Sequence, residues 1–380
     1  MTRPHLAWTM RTSLRTIVSP RRSADRRRRG LLAAVRATVL VPVLWPVLSA
    51  LLIAGAPVQA ADLAEALARA EDRTGVVTAV LELEDARRRL ESTEADPSTL
   101  RLDRLQAEHA LELADAALRT ARYRAYAEIA AAYLRVLEAS SGRDFAEDGA
   151  GLSERAVDIA TIRLERGAGT QLDLRDAETD LASALNDLAA AGQGLALAKR
   201  SFESLTGLPG EGLAPVPDGL LATEVPDEAL LAARLADSPT LLRASHGVEL
   251  ARAALDLLDP AYAPARDIES AELAHARAGE GLAEARRGVE LQLRTLLNRV
   301  EAARDAASVA HDALANARER DAIERARLDA GLIAEIAYDQ TRLATRRAEL
   351  AAMQADHEVL LALFDLQAGA GVAIEGLDAF

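Results

Sequence analysis

Residues 163–174 read Arg163-Leu164-Glu165-Arg166-Gly167-Ala168-Gly169-Thr170-Gln171-Leu172-Asp173-Leu174, and this stretch decides the fold. Gly167 and Gly169 interrupt two runs with helical apolar spacing. Glycine has no Cβ, so it tolerates the left-handed backbone that ends one helix and lets the next begin in a tight turn. Past the break, Leu174, Leu181, Leu188, Leu195 and Phe202 recur every seven residues, and Asp, Glu, Arg, Asn and Gln fill many positions between them. That is a coiled-coil-like seam of about four heptads. Leu152 to Leu208 therefore reads as a long helical hairpin with Gly167 near its tip.

The same stretch occurs twice. A shift of 164 positions brings Arg163-Leu164-Glu165-Arg166-Gly167 onto Arg327-Leu328-Asp329-Ala330-Gly331. Ala184 falls on Ala348, Ala191 on Ala355 and Gly207 on Gly371, with no gap. Upstream, Glu65-Ala66-Leu67 resembles Glu228-Ala229-Leu230, and Ala86-Arg87 resembles Ala251-Arg252. The body is therefore two copies of one helical unit. The organisation expected is a leader over 1–60, a first helical repeat over 61–208, a Pro/Gly linker over 209–226, a second repeat over 227–372 and a frayed, Gly-rich tail over 373–380.

Composition points the same way. Half of the 380 residues are apolar but only 3% are aromatic. Alanine and leucine dominate, which suits long helices. The chain has no cysteine, which excludes disulfides, thiolate metal sites and a lipid-modified N-terminal cysteine. Residues 1–60 carry 10 arginines and a single acid, Asp25, which leaves 35 basic and 58 acidic side chains, a net charge of −23, in residues 61–380. Such a surface repels nucleic acid and anionic membrane faces.

Residues 1–60 read as a targeting segment. Arg21, Arg22, Arg26 to Arg29 and Arg36 precede an uncharged run from Ala37 to Ala60, and Pro57-Val58-Gln59-Ala60 offers small residues for cleavage. The alternative is an uncleaved anchor, since a run of that length can span a bilayer. Either way the body is exported. Asp62 to Glu91 reads as helix with a break near Thr74-Gly75. Ser92 to Thr99 reads as a turn or helix start, with Ser98 or Thr99 as the cap of the next helix. That helix carries Tyr123, Tyr126 and Tyr133 as a packing stripe, and Ser140 to Gly151 is its weak spot. In the second copy a break at Asp237-Ser238-Pro239 precedes helix to Asp259. Pro260 to Asp267 is a joint, a long helix starts at Ile268, and the last helix runs to Gln367.

These features resemble the TolC-type outer membrane efflux family, whose members are exported, internally duplicated and Ala/Leu-rich. The resemblance rests on the turn around Gly167, on Gln171-Leu172-Asp173-Leu174 after it, and on Leu205-Thr206-Gly207-Leu208 at the end of the hairpin. It implies an all-α protomer of duplicated long coiled-coil hairpins. It implies a homotrimer whose hairpins form a hollow helical cylinder in the periplasm and dock a periplasmic adaptor bound to an inner-membrane pump. By the same resemblance the docking tips are Arg166, Gly167 and Ala168 in the first copy and Ala330, Gly331 and Leu332 in the second. The family also places acids near the channel entrance. Asp173 and Asp176 match that pattern; Ala337 and Gln340, their counterparts, do not.

The family inserts two strands per repeat to build a barrel. A spanning strand takes about 9–11 residues, and the joints Ser92–Thr99 and Pro260–Asp267 are too short for two. Neither alternates polar and apolar residues as a barrel strand does. The expectation is a family member with the helical part and no barrel of its own, associated with the outer membrane by other means. Two functions fit: a conduit component of an export system, or a non-transporting envelope spacer or tether. An enzyme does not fit. His5, His109, His246, His275, His311 and His357 are scattered, and no P-loop, zinc-protease motif, nucleophile elbow or cysteine nucleophile is present. Asp329 and Glu335 flank the second turn, a generic acidic pair. No cofactor is implied.

Overall fold

The structure is a computed structural model that describes residues 62–371 except residue 222, together with residues 373, 374 and 377. The leader and its cleavage site lie outside the described residues. Helices α1 (Leu63–Ala68), α2 (Thr74–Ala95), α3 (Arg101–Glu165) and α4 (Gln171–Thr206) make the first copy. After the short α5 (Asp218–Leu221) come α6 (Glu228–Arg234), α7 (Pro239–Asp256), α8 (Ala265–Asp329) and α9 (Glu335–Ala370). No strand occurs among the described residues. The duplication is visible in the helix bounds: α3 and α8 are 65 residues each, α4 and α9 are 36 each, and every bound is displaced by the same 164 positions. At 1.5 Å per residue, α3 and α8 are each about 97 Å long.

The long helices lie side by side in the order α4, α3, α9, α8. Within each hairpin the heptad seam packs as the sequence predicts. Leu174, Leu181, Leu188 and Leu195 are half-buried on α3, and Phe202 is fully buried. The two hairpins join where α3 runs antiparallel to α9. Polar pairs mark an even register along that contact: Glu138 with His357 at 2.9 Å, Ser141 with Met353 at 3.7 Å, Asp148 with Arg346 at 3.7 Å and Arg155 with Asp339 at 2.6 Å. This contact explains why α3 does not break between Ser140 and Gly151. A glycine inside a helix costs about 1 kcal/mol relative to alanine, and packing on α9 offsets it. The hairpin is accordingly longer than the sequence implied, starting at Arg101 and not at Leu152.

The dense core lies in the half of the layer away from the turns. Ile129, Tyr133 and Leu134 of α3 meet Phe202, Leu363 and Phe364 there, all fully buried. The Tyr133 ring stands edge-on to Phe202, with centroids 5.9 Å apart. Its hydroxyl donates to the carbonyl of Ala214 at 2.6 Å, which pins the linker to the core. Burial, and then the charge of Asp62, pushes the Tyr133 phenol up to about 12. Arg304 of α8 holds the linker from the other side, donating to Thr223 O at 2.6 Å. The tail is not frayed throughout: Ile374 and Leu377 are buried in this core. Their side chains find an apolar site that local composition does not reveal.

Both joints sit later or earlier than the sequence suggested. Helix α2 runs on through Ser92 to Ala95, because the hydroxyls of Ser92 and Thr93 both donate back to the Arg89 carbonyl. Ser98 does not cap α3; its N–H and hydroxyl are both spent on Asp96 Oδ1, at 2.8 and 2.6 Å, and the cap position falls to Leu100. In the second copy α7 ends at Asp256 and α8 begins at Ala265, three residues before the expected Ile268. Pro264, fixed near φ −59°, sets that start.

Near the joints, α7 crosses back onto α3 through two histidines that the sequence left 137 positions apart. The rings of His109 and His246 stack with centroids 3.8 Å apart and planes 2° from parallel. His109 Nε2 meets Glu249 at 3.0 Å, and His246 Nε2 meets Glu112 at 2.9 Å. Each helix thus contributes one histidine and one glutamate, three residues apart, to a reciprocal clamp between the two copies. A urea-unfolding cycle on His109→Ala, His246→Ala and the double variant is expected to show a coupling of about 1 kcal/mol. Strictly additive losses would mean that the stack does not clamp the copies.

Candidate docking site at the hairpin turns

Each turn is closed by the same backbone device. In the first, Ala168 N–H donates to Arg163 O at 2.8 Å and Gly167 N–H to Leu164 O at 3.0 Å. In the second, Leu332 N–H donates to Arg327 O and Gly331 N–H to Leu328 O, both at 2.8 Å. These paired bonds satisfy the orphan carbonyls of a helix end and require a left-handed residue between them. Gly167 and Gly331 supply it, each with φ +70°. Nothing lies within 4 Å of where a Cβ would stand on either glycine, so any penalty for a side chain there comes from the backbone angle and not from crowding.

The two turns then diverge. Thr170 caps α4: its hydroxyl accepts from Asp173 N–H at 3.2 Å, while Asp173 Oδ2 accepts from Thr170 N–H at 2.8 Å. This reciprocal box holds the Asp173 carboxyl below the usual carboxylate range, chiefly through the backbone hydrogen bond from Thr170. Ala334 and Ala337 occupy the same positions in the second turn, where α9 starts with no side-chain cap. The first turn is therefore the better-fastened one.

Arg166, Gly167, Ala168, Ala330, Gly331 and Leu332 are all exposed. Leu332 is 71% exposed and Leu172, beside the first turn, 65%. Asp173 is exposed but committed to its cap, and Asp176 is exposed one turn further along α4. The geometry thus brings the named turn residues to one end of the layer, as two bare glycine turns with apolar side chains beside them. Asp329 and Glu335 close α8 and open α9. Among the described residues no group of three or more His, Asp or Glu side chains could hold a metal ion.

Sequence reasoning missed the residue that holds the turns level. Asp339, on the first turn of α9 but one, is 5% exposed. It pairs with Arg155 of α3 at 2.6 Å, and Arg342 stands 3.8 Å from its other oxygen. An acid five residues into an amphipathic helix carries no sign of burial; only the α3 contact reveals it.

Three experiments test this reading. Gly167→Ala is expected to destabilise the first turn by about 1–2 kcal/mol, read as faster amide exchange confined to residues near 160–175. The Asp173 cap contributes while the carboxyl is charged. It is fully present above the ordinary carboxylate range and lost as pH falls through the lowered folded value, so protection at the first turn should drop in acid while the second turn stays unchanged. Arg155→Ala leaves Asp339 charged and buried with only the more distant Arg342, a loss of about 2–3 kcal/mol. Arg155→Met with Asp339→Leu should recover most of it, and a double variant as unstable as the single would refute the pairing.

Comparison with known proteins places this geometry. Residues 106–208 match the outer membrane efflux protein family. No curated protein sequence matches the chain. Among solved structures, CusC, described in terms of folding and transmembrane channel formation, aligns at a TM-score of 0.58 with 14% identity, covering 81% of this chain and 95% of that one. The Campylobacter jejuni CmeC outer membrane channel aligns at 0.58 with 12% identity, over 81% and 85%. The outer membrane protein VceC of Vibrio cholerae aligns at 0.56 with 16% identity, over 82% and 97%. Residues 106–208 thus match the outer membrane efflux protein family by sequence, and the described body shares its fold with these outer membrane channels.

Proposed function

We propose that this efflux-channel component works as a homotrimeric periplasmic conduit, exported to the cell envelope and associated with the outer membrane. Its hairpin turns dock a periplasmic adaptor bound to an inner-membrane pump. Arg166, Gly167 and Ala168, with Ala330, Gly331 and Leu332, form the docking surface, and Asp176 stands at the channel entrance. Asp173 faces the same region, although its carboxylate serves first as a helix cap.

The observation that carries the reading is that the layer has two unfinished edges. Helices α4 and α8 each have one long neighbour, while α3 and α9 have two. On α4, Ala182, Leu185, Ala189 and Ala196 form an exposed stripe one residue past the packed seam. On α8, Ala302, Ala306, Val309 and Ala313 form an exposed stripe one residue before it, with Val309 69% exposed. One residue is about 100° of helix, so each stripe lies on the flank of its helix. Both stripes fall between about 15 and 40 Å from the turns. Small residues let helix backbones approach closely, and an edge of one kind that matches an edge of the other is a head-to-tail contact, which closes into a ring. A ring of such layers encloses a passage and needs no chemistry.

A non-transporting spacer or tether is the second reading, favoured by the lack of any strand among the described residues. Mass measurement and electron microscopy separate the two: a hollow trimer supports the conduit, and a closed monomer supports the spacer. Leu185→Glu or Val309→Glu should dissociate the trimer without loss of helicity. Replacing Gly167 and Gly331 with bulky residues should abolish adaptor pull-down from a still-folded protein; unchanged capture would remove the docking role.

A further inference from the structure

The end of the layer opposite the turns is built to one pattern in both copies. The first joint reads Asp96-Pro97-Ser98-Thr99 and the second Asp259-Pro260-Ala261-Tyr262. In each, the aspartate side chain accepts the N–H two residues on, Ser98 or Ala261, at 2.8 Å. In each, the aspartate carbonyl accepts the next N–H, from Thr99 at 3.1 Å or Tyr262 at 3.0 Å. The Asp259 carbonyl also takes Ala263 N–H, at 2.7 Å. Proline has no N–H to satisfy. The first turn thus closes two of its N–H groups internally and the second three.

Around these turns stand apolar side chains that no described residue covers. Leu100 is 68% exposed, Leu257 62% and Tyr262 89%. Of the tyrosines, Tyr133 and Tyr338 are buried and Tyr123 and Tyr126 are half-buried, so Tyr262 is the one placed in solvent. Arg266, four residues after it, has a side chain 92% exposed. The antiparallel register between α3 and α7, set by His109 against Glu249 and His246 against Glu112, carries the start of α3 level with the end of α7. The two joints thus share one end of the molecule.

We propose that this end is a foot that rests on a lipid interface, with Leu100, Leu257 and Tyr262 entering the headgroup boundary. The inference builds on the conduit reading above and names what the joint end touches. Three features favour lipid over a protein partner. Backbone near a region poor in water gains from internal hydrogen bonds, and these turns close two and three of their N–H groups in that way. Tyrosine flanked by arginine, with isolated leucines, is the composition of a membrane–water boundary. Three side chains on two narrow turns also fall well short of the roughly 800 Å² per partner of a stable protein interface. The net charge of −23 over residues 61–380 directs the foot to a zwitterionic surface and away from an anionic one.

The two tryptophans, Trp8 and Trp45, are first replaced (Trp8→Phe, Trp45→Phe) to give a dark optical background. In Tyr262→Trp, phosphatidylcholine vesicles should shift the emission to the blue, and brominated lipid should quench it. Leu332→Trp, an equally bare position at the docking turns, should do neither. Changing Leu100, Leu257 and Tyr262 together to Ser should weaken co-flotation with these vesicles by about tenfold or more, the factor that 1.4 kcal/mol of lost apolar burial represents. No response at 262, or the same response at 332, overturns the foot; so does a blue shift that needs a co-purified protein in place of lipid. Loss of adaptor capture at the turns with the lipid response intact would instead overturn the conduit reading alone.

Discussion

The contact between α3 and α9 is the constraint on which the rest of the structure depends. Each hairpin is a sequence-local object: a seam of leucines and alanines folded at a glycine. Two such hairpins have no obligation to lie side by side. The α3–α9 contact supplies one, through polar pairs spaced along both helices. Because the pairs keep one register from Glu138 to Asp339, the two helices cannot slide past each other by a turn without breaking all of them. Asp339 matters most among these, since a buried carboxylate that loses its arginine is far more costly than an exposed one. Arg299 does similar work within the second hairpin, bridging Glu358 at 2.9 Å and Asp365 at 2.5 Å, and the hydrogen bond to Glu358 raises its pKa further. With the register fixed, the two glycine turns come out at one end and the two joints at the other.

How much of this was legible in the sequence follows from the range of the interactions. The turns were legible because a glycine in a left-handed position is a local requirement, and because the copy 164 residues on repeats it. The seam from Leu174 to Phe202 was legible because a heptad repeat is periodic in the chain itself. Asp339, the stacked pair His109 and His246, and the buried Ile374 and Leu377 were not, because each acquires its environment from residues more than 100 positions away or from a core that no local window samples. The joints fell between these cases. Asp-Pro was read as a turn, but the hydroxyls of Ser92 and Thr93 had a helical use that composition alone does not distinguish from a loop.

The two copies have not been kept equal, and the inequality is informative. The first turn has Thr170 and Asp173 as a cap; the second has Ala334 and Ala337 and no side-chain cap, yet Leu332 is thrust outward there. The turn with less internal fastening carries Leu332 at the position where the first turn has Ala168. A partner that binds both turns would therefore find one rigid glycine turn and one more compliant, more adhesive turn. A ring of three chains would present these alternately, as six sites of two kinds and not six identical ones.

The same inequality runs through the edges of the layer. Helices α4 and α8 carry different side chains on their flanks, alanine with leucine on one and alanine with valine on the other, and they run in opposite directions. In the proposed ring, copies would join unlike edges, since like edges would pair α4 with α4 across a two-fold axis and leave both α8 flanks bare. Head-to-tail joining leaves none bare provided the ring closes. In the proposed ring, closure would require a curved layer, and the α3–α9 contact, where the two hairpins pack, would set much of that curvature. The seam that holds Asp339 against Arg155 would then bear on the radius of the proposed passage as well as on the register of the hairpins.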